Sequence, residues 1–139
     1  MKVAIVGSKD RTSEADRALV EELIERVSDK HFDVVFICTD SWNRGVGEFV
    51  RRKCVEKVNG EFVYQVILVD LRTYWTHRSR DEIAQVYRAR NASVYEMADV
   101  LYYFAGNERK GAVEDLVARM ESTGRPVKIL RPGEPVTLI

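Results

Sequence analysis

Short apolar runs alternate with longer amphipathic stretches along the chain. The first run covers residues 3–6 and ends at Gly7-Ser8. Ser13 is a suitable N-cap for a following helix, because its hydroxyl can accept a hydrogen bond from a free backbone N–H of the first turn. Apolar residues then recur at helical spacing, at Leu19, Val20, Leu23, Ile24 and Val27. The pattern predicts a strand, a loop and a helix.

The same order repeats towards the C-terminus. Further strands are predicted over residues 34–38, 63–71, 100–104 and 127–130, and further helices over residues 46–57, 80–98 and 111–123. Asn59-Gly60 predicts a turn, and Gly124 is a suitable C-terminal cap. Residues 136–139 follow a Pro-Gly turn and form either an edge strand or an oligomer contact.

Continuous apolar strands are typical of a parallel sheet whose two faces are both covered by helices. A length of 139 residues suits one domain, because single hydrophobic cores become efficient at roughly 100 to 150 residues. We therefore expect an α/β fold over residues 1–139, a single-domain three-layer sandwich with about five mainly parallel strands.

Charge and composition exclude several classes of function. The 22 basic and 22 acidic residues give a formal net charge of +0, which disfavours extended contact with nucleic acid because such contact needs a basic groove. No apolar run approaches the roughly 20 residues that span a bilayer, so we expect a cytoplasmic protein with no membrane partner. Two cysteines and two histidines at unrelated spacings predict neither a metal site nor a disulfide, and no cofactor is expected.

Loops that follow the strands carry the candidate chemistry, since ligands of open parallel sheets bind beyond the carboxyl ends of the strands. Glycines there allow close backbone approach to a phosphate or ribose, although such loops also simply cap helices. None has the Walker lysine-serine pair or the full GxGxxG pattern, which disfavours an ATPase or an ordinary NAD dehydrogenase. The candidate ligand-binding residues are Gly7, Ser8, Lys9, Arg44, Gly45, Gly106, Asn107 and Gly111.

Charged and aromatic side chains near these loops have two interpretations. Glu114 and Asp115 fall in the first turn of a predicted helix, where acids either act on a ligand or favour the positive end of the helix. Loop aromatic residues either stack a base or cover the edge of the core, and these are Trp42, Tyr74 and Trp75. His77 lies in a basic segment that could bind phosphate.

The second half of the chain contains a specific order of motifs. Arg90-Asn91 is followed by an aspartate-started strand, Gly106, Gly111-Ala112 and finally Gly124-Arg125-Pro126-Val127. This order resembles the SLOG superfamily of Rossmann-like nucleotide-binding domains, and Gly7-Ser8 matches the first loop of that group. The resemblance implies a single Rossmann-like, SLOG-like nucleotide-binding domain over residues 1–139.

The resemblance also implies roles for individual residues. Its members include the Lonely Guy phosphoribohydrolases, in which Arg90 matches the catalytic arginine and Asp115 the glutamate of the glycine-rich motif. A more distant resemblance to nucleoside deoxyribosyltransferases makes Glu114 a candidate nucleophile or acid. The implied catalytic residues are therefore Arg90, Glu114 and Asp115, and Asn91 joins the ligand-binding set.

The glycine-rich loop departs from the family pattern. Ala105 replaces its proline, Asn107 its second glycine and Ala112 its threonine, while residues 108–110 stand in place of one residue. Because these changes alter the phosphate-contacting loop, nucleotide binding is a stronger expectation than hydrolysis.

The expected function is binding of a nucleotide or nucleotide derivative. If the protein is an enzyme, cleavage of the N-glycosidic bond of a nucleoside monophosphate is the expected reaction. The first alternative is a non-catalytic binding module, either a nucleotide sensor or a relative of the DNA-processing protein A family that binds single-stranded nucleic acid. The second alternative is an enzyme similar to the nucleoside deoxyribosyltransferases. The resemblance also implies a homo-oligomer, with a dimer as the expected state.

Overall fold

The computed structural model describes residues 1–39, 45–69, 71 and 80–139, except for the side chains of residues 80–82. In chain order the elements are β1 (Lys2–Gly7), α1 (Glu14–Lys30), β2 (Val35–Thr39), α2 (Val46–Val55), β3 (Lys57–Val58), β4 (Glu61–Phe62), β5 (Gln65–Val69), α3 (Arg80–Met97), β6 (Val100–Phe104), α4 (Ala112–Ser122) and β7 (Val127–Leu130).

Five of these strands form one sheet in the order β5-β2-β1-β6-β7, and every neighbouring pair is parallel. Alternate residues of each strand face opposite layers. Val3 and Ile5 pack with α1 and α2, whereas Ala4 and Val6 pack with α3 and α4. The protein is thus an α/β, Rossmann-like three-layer sandwich, which confirms the predicted fold class.

The strand order changes direction beside β1. The chain first builds outward from β1 through β2 to β5, and then returns to place β6 on the other side of β1. The helices change faces at the same point. The carboxyl ends of β1 and β6 therefore lie side by side with loops that lead to opposite faces, which creates a crevice of the kind that binds ligands in open α/β sheets.

A small hairpin follows α2 and takes up the last residue of the predicted helix, and β5 is shorter than the predicted strand, covering residues 65–69 rather than 63–71. α2 ends at Val55, and β3 and β4 pair around the predicted turn. Asn59 and Gly60 have φ of 53° and 80°, which suits a tight two-residue hairpin turn. Each of these strands has two residues, and both are exposed. Strands this short do not contain the run of apolar residues by which the buried strands were predicted.

Residues 136–139 do not form a strand, so the edge-strand alternative for this segment is wrong, and the oligomer contact stays a prediction. Val136 is buried against the core on the α1 and α2 side of the sheet. Arg26 donates a hydrogen bond to the Val136 carbonyl at 2.7 Å, and the Ile139 N–H donates to the Tyr102 hydroxyl at 3.1 Å. The segment therefore covers the face of the sheet beside α1. No helix in the described part of the chain is long and apolar enough to cross a membrane.

Arg11 ties the loop after β1 to the ends of β6 and β7. Its side chain is buried, and its Nη1 donates to the carbonyls of Ala105 at 2.7 Å and Leu130 at 2.9 Å. Its Nε pairs with Asp16 at 2.7 Å, and Asp16 also accepts the Ser13 N–H in the capping box of α1. Burial opposes ionisation of Asp16, but the hydrogen bonds from Arg11 and Ser13 outweigh it and lower its pKa.

Replacing Arg11 by Met should lower the free energy of unfolding by about 3 kcal/mol, because it leaves Asp16 without its cation in a nearly buried position. Urea denaturation measures this change. Arg17→Met is the matched control, since the Arg17 side chain is 40% exposed and its ion pairs in solvent contribute little stability.

The effect of Arg11→Met should depend on pH. A lowered aspartate pKa stabilises the fold above the ordinary pKa of the group, and this stability is lost as the pH falls through the lowered pKa. The difference between the wild type and Arg11→Met should therefore shrink in acid. A difference that stays constant down to the lowered pKa would show that the Arg11–Asp16 pair does not stabilise the fold.

Candidate functional site

The candidate site is the crevice between the ends of β1 and β6, together with the start of α4 and the facing side of α3. Ser8 extends the pairing of the two strands, because its N–H donates to the Phe104 carbonyl at 2.9 Å. That N–H is therefore already engaged, and only the Ser8 hydroxyl is left for a ligand. Lys9 follows with an exposed side chain.

Two of the predicted ligand-binding glycines instead allow other parts of the protein to approach. A Cβ on Gly7 would lie 2.2 Å from Cγ2 of Val46, the first residue of α2. A Cβ on Gly106 would lie 2.3 Å from Oδ1 of Asp10. Gly45 is buried at the N-cap of α2. These glycines form the floor of the crevice. The groups packed against Gly7 and Gly106 are the Val46 side chain and the Asp10 carboxylate.

Gly111 has a different environment. It is the N-cap residue of α4 with φ of 105°, a conformation that favours glycine, and a Cβ there would meet nothing within 4 Å. No side chain caps this end of the helix. The start of α4 therefore presents backbone N–H groups and the positive end of the helix dipole beside open space, which is a favourable place for an anion.

Asn91 connects α3 to the start of α4. Its Nδ2 donates to the Ala112 carbonyl at 2.8 Å, and its Oδ1 accepts from Nε and Nη2 of Arg90 at 3.3 and 3.1 Å. The Arg90 guanidinium also lies 5.0 Å from the centre of the Tyr87 ring. The predicted Arg90-Asn91 pair is thus a structural unit beside the first turn of α4.

Arg90 is a buried cation. Its residue is 5% exposed, and burial lowers its pKa. Among the residues that the structure describes, no carboxylate pairs with it. The amide oxygen of Asn91 and the face of Tyr87 carry no full negative charge, so the positive charge is not neutralised by the described side chains.

A shallow pocket of about 230 Å³ lies between α3 and α4. It contains three of the predicted site residues, and Asp115 supplies the carboxylate among its described lining residues. Neither Arg90 nor Glu114 is among the described residues that line it. The lining residues are Ala84, Tyr87, Arg88, Asn91, Gly111, Ala112 and Asp115.

Glu114 takes part in a second group of contacts beside the pocket. Its carboxylate accepts the Tyr103 hydroxyl at 3.0 Å and both Nε and Nη2 of Arg109 at 3.2 and 3.0 Å. The Arg109 hydrogen bond lowers the pKa of Glu114, so the group is a carboxylate at neutral pH. Burial and the Glu114 contact raise the pKa of Tyr103 to about 12, so its hydroxyl stays protonated and donates.

Asp10 places a further carboxylate in the crevice. Its oxygens lie against Gly106, and its charge contributes to the raised pKa of Tyr103. The crevice therefore contains two acids near one buried hydroxyl. An ionised Glu114 cannot donate a proton, but it can stabilise a positive sugar centre or accept hydrogen bonds from hydroxyl groups.

Sequence reasoning missed three residues of this arrangement. Tyr103 lies within an apolar strand, and the available signal was that a buried tyrosine hydroxyl needs a partner. Arg109 and Asp10 lie in loops whose conformation the sequence pattern does not specify. Asn107 is exposed in the same loop as Arg109.

Several predicted residues lie outside the described part of the chain, namely Arg44, Trp42, Tyr74, Trp75 and His77. Within the described part, no three His, Cys, Asp or Glu side chains are grouped so that they could hold a metal ion. No protein-family model matches the sequence, and comparison with curated proteins gives no significant match.

Replacing Gly7 by Ala should lower the free energy of unfolding by about 1 to 3 kcal/mol, because the new Cβ would overlap Val46. Chemical denaturation of Gly7→Ala, Val46→Ala and the double variant measures the coupling. The double variant should lose less stability than the sum of the single variants, since Val46→Ala removes the nearest methyl group. Strictly additive losses would contradict the close contact.

Replacing Arg109 by Met should raise the pKa of Glu114, because the largest influence that lowers it is the Arg109 hydrogen bond. Carbon NMR titration of the Glu114 carboxyl group measures the change. Tyr103→Phe removes the weaker hydrogen bond and should raise this pKa by less. Equal shifts in the two variants would show that Arg109 is not the principal partner.

Proposed function

We propose that the protein binds a nucleotide or nucleotide derivative, with its phosphate near the start of α4 and Arg90. The observation that carries this proposal is the buried Arg90 guanidinium, which has no carboxylate partner among the described residues. A buried charge without a counter-charge is unfavourable, and an anionic ligand would remove that cost.

A phosphate group suits this place for two further reasons. The start of α4 has no side-chain cap, and Gly111 leaves open space beside it. A phosphate monoester carries close to two negative charges at neutral pH and accepts several hydrogen bonds, so it can interact with helix N–H groups and a guanidinium together.

The acidic side chains support a ligand that carries a sugar as well as a phosphate. Asp115 lines the pocket beside Asn91, and Asp10 and Glu114 lie towards β1 and β6. Carboxylates would repel a ligand made only of phosphate groups, but they accept hydrogen bonds from the hydroxyl groups of a ribose. A nucleotide combines the anion and the hydroxyl groups that these two sets of residues would recognise.

The same residues support N-glycosidic hydrolysis as the reaction. The bond between the anomeric carbon and the base nitrogen would break, water would add to the anomeric carbon, and the base would leave with a proton. Glu114 or Asp115 would stabilise the positive charge that develops on the ribose ring, because a carboxylate near the anomeric carbon lowers the energy of that state.

A non-catalytic nucleotide sensor is the second candidate. It is favoured by the contacts of Glu114, since this carboxylate is already occupied by Arg109 and Tyr103. A sensor needs only ligand binding, whereas catalysis needs a carboxylate that can approach the sugar. Base release separates the two candidates.

The test is thermal unfolding with nucleoside monophosphates and diphosphates, cyclic nucleotides, NAD and ADP-ribose. A ligand present at about 100 times its Kd should stabilise the fold by about 2.7 kcal/mol, because it binds only the folded state. Each stabilising ligand is then followed by chromatography for release of free base. No stabilisation by any ligand would overturn the proposal.

Arg90→Met should weaken binding of the stabilising ligand by about thirtyfold or more, because a buried charge pair with phosphate would be lost. The same variant should unfold at or above the wild-type temperature without ligand, since it removes a buried charge that has no carboxylate partner among the described residues. Arg17→Met, on the exposed face of α1, is the control. Unchanged affinity, or strong destabilisation of the free protein, would show that Arg90 is structural.

A further inference from the structure

The loop between β6 and α4 places a cation on Glu114, one of the two carboxylates proposed to act on the sugar. Arg109 and Glu114 lie on either side of the Gly111 N-cap and form a two-point ion pair, with Nε and Nη2 at 3.2 and 3.0 Å from the two carboxylate oxygens. Glu114 is thus covered on its Arg109 side. We call this ion pair the Arg109 latch.

We propose that a phosphate-bearing ligand opens the Arg109 latch by drawing the guanidinium from Glu114 to its phosphate, an inference that rests on the nucleotide-binding function proposed above. In the absence of phosphate the latch stays closed. The substrate class is then a nucleotide, because a nucleoside would reach the crevice without releasing Glu114.

The partial exposure of the Arg109 and Glu114 side chains to water favours this exchange. The Arg109 side chain is 39% exposed and the Glu114 side chain 23% exposed, so the ion pair forms partly in water and contributes little stability. A phosphate monoester offers more charge and more acceptor oxygens than one carboxylate. Arg109 precedes the N-cap of α4 by two residues in the sequence. A phosphate bound at the uncapped start of this helix would therefore compete with Glu114 for the Arg109 guanidinium.

Tyr103 explains how Glu114 would stay in place after the latch opens. The Tyr103 side chain is fully buried in β6, and its hydroxyl donates to Glu114 at 3.0 Å. This hydrogen bond does not involve Arg109. Asp10 is a further charged group near the hydroxyl, and its negative charge contributes to the raised pKa of Tyr103. Release of Arg109 would therefore leave a positioned carboxylate with one face uncovered.

The neighbouring residues of the loop do not offer a substitute for Arg109. Lys110 pairs with Glu108 at 2.6 Å, and both side chains are almost three-quarters exposed. In the described part of the chain, Glu114 accepts hydrogen bonds from Tyr103 and Arg109, and neither Lys110 nor Glu108 joins them. Arg109 is thus the residue that would couple phosphate binding to the state of Glu114.

The test is a double-mutant cycle of Glu114→Gln and Arg109→Met, read by calorimetric titration with inorganic phosphate and with AMP. Glu114→Gln should bind phosphate roughly threefold more tightly than the wild type, because Arg109 no longer has to leave a carboxylate. In the Arg109→Met background, the same substitution should give no such gain. Arg109→Met alone should bind phosphate more weakly than the wild type.

The outcomes separate the latch from the function on which it rests. An equal gain from Glu114→Gln in both backgrounds would mean that Glu114 simply repels phosphate through space, which would overturn the latch and leave nucleotide binding intact. Absence of phosphate and AMP binding in every variant would overturn both proposals. In the unmodified protein, the Arg109 Nε–H NMR signal should move as phosphate binds, and a stationary signal during binding would also overturn the latch.

Discussion

The pairing of β1 with β6 continues one residue past the strand, through the hydrogen bond from the Ser8 N–H to the Phe104 carbonyl. This bond fixes where the next residues of both loops begin. Asp10 consequently lies against Gly106, and Arg11 reaches the carbonyls of Ala105 and Leu130. The shape of the crevice floor therefore depends on the register in which β1 pairs with β6. What the crevice can bind depends on the side chains that surround this floor.

Two buried arginines show how the same residue type serves different purposes. Arg11 has a carboxylate and two carbonyl oxygens around it, so its charge is compensated and it joins α1 to the sheet. Arg90 has an amide oxygen and an aromatic face instead. Because a buried charge without a counter-charge is costly, the lack of a carboxylate among the described partners of Arg90 supports the proposed anionic ligand.

The fold could be predicted because buried parallel strands and amphipathic helices have distinct apolar patterns, and Ser13 did cap α1. Asn91, Gly111 and Asp115 were predicted as site residues, and they do meet at one pocket. Tyr103 and Arg109 were missed because their importance comes from contacts with Glu114 across the turn into α4. Such contacts depend on loop conformation, which the spacing of residues in a sequence does not determine.

The carboxylate of Asp10 over Gly106 also gives the crevice a direction. Its negative charge lies at the β6 end, while the positive end of α4 and the Arg90 cation lie on the α3 and α4 side. These charges therefore lie on opposite sides of the crevice. A molecule with one anionic end would therefore favour a single orientation, in which its uncharged part faces Asp10, Tyr103 and Glu114.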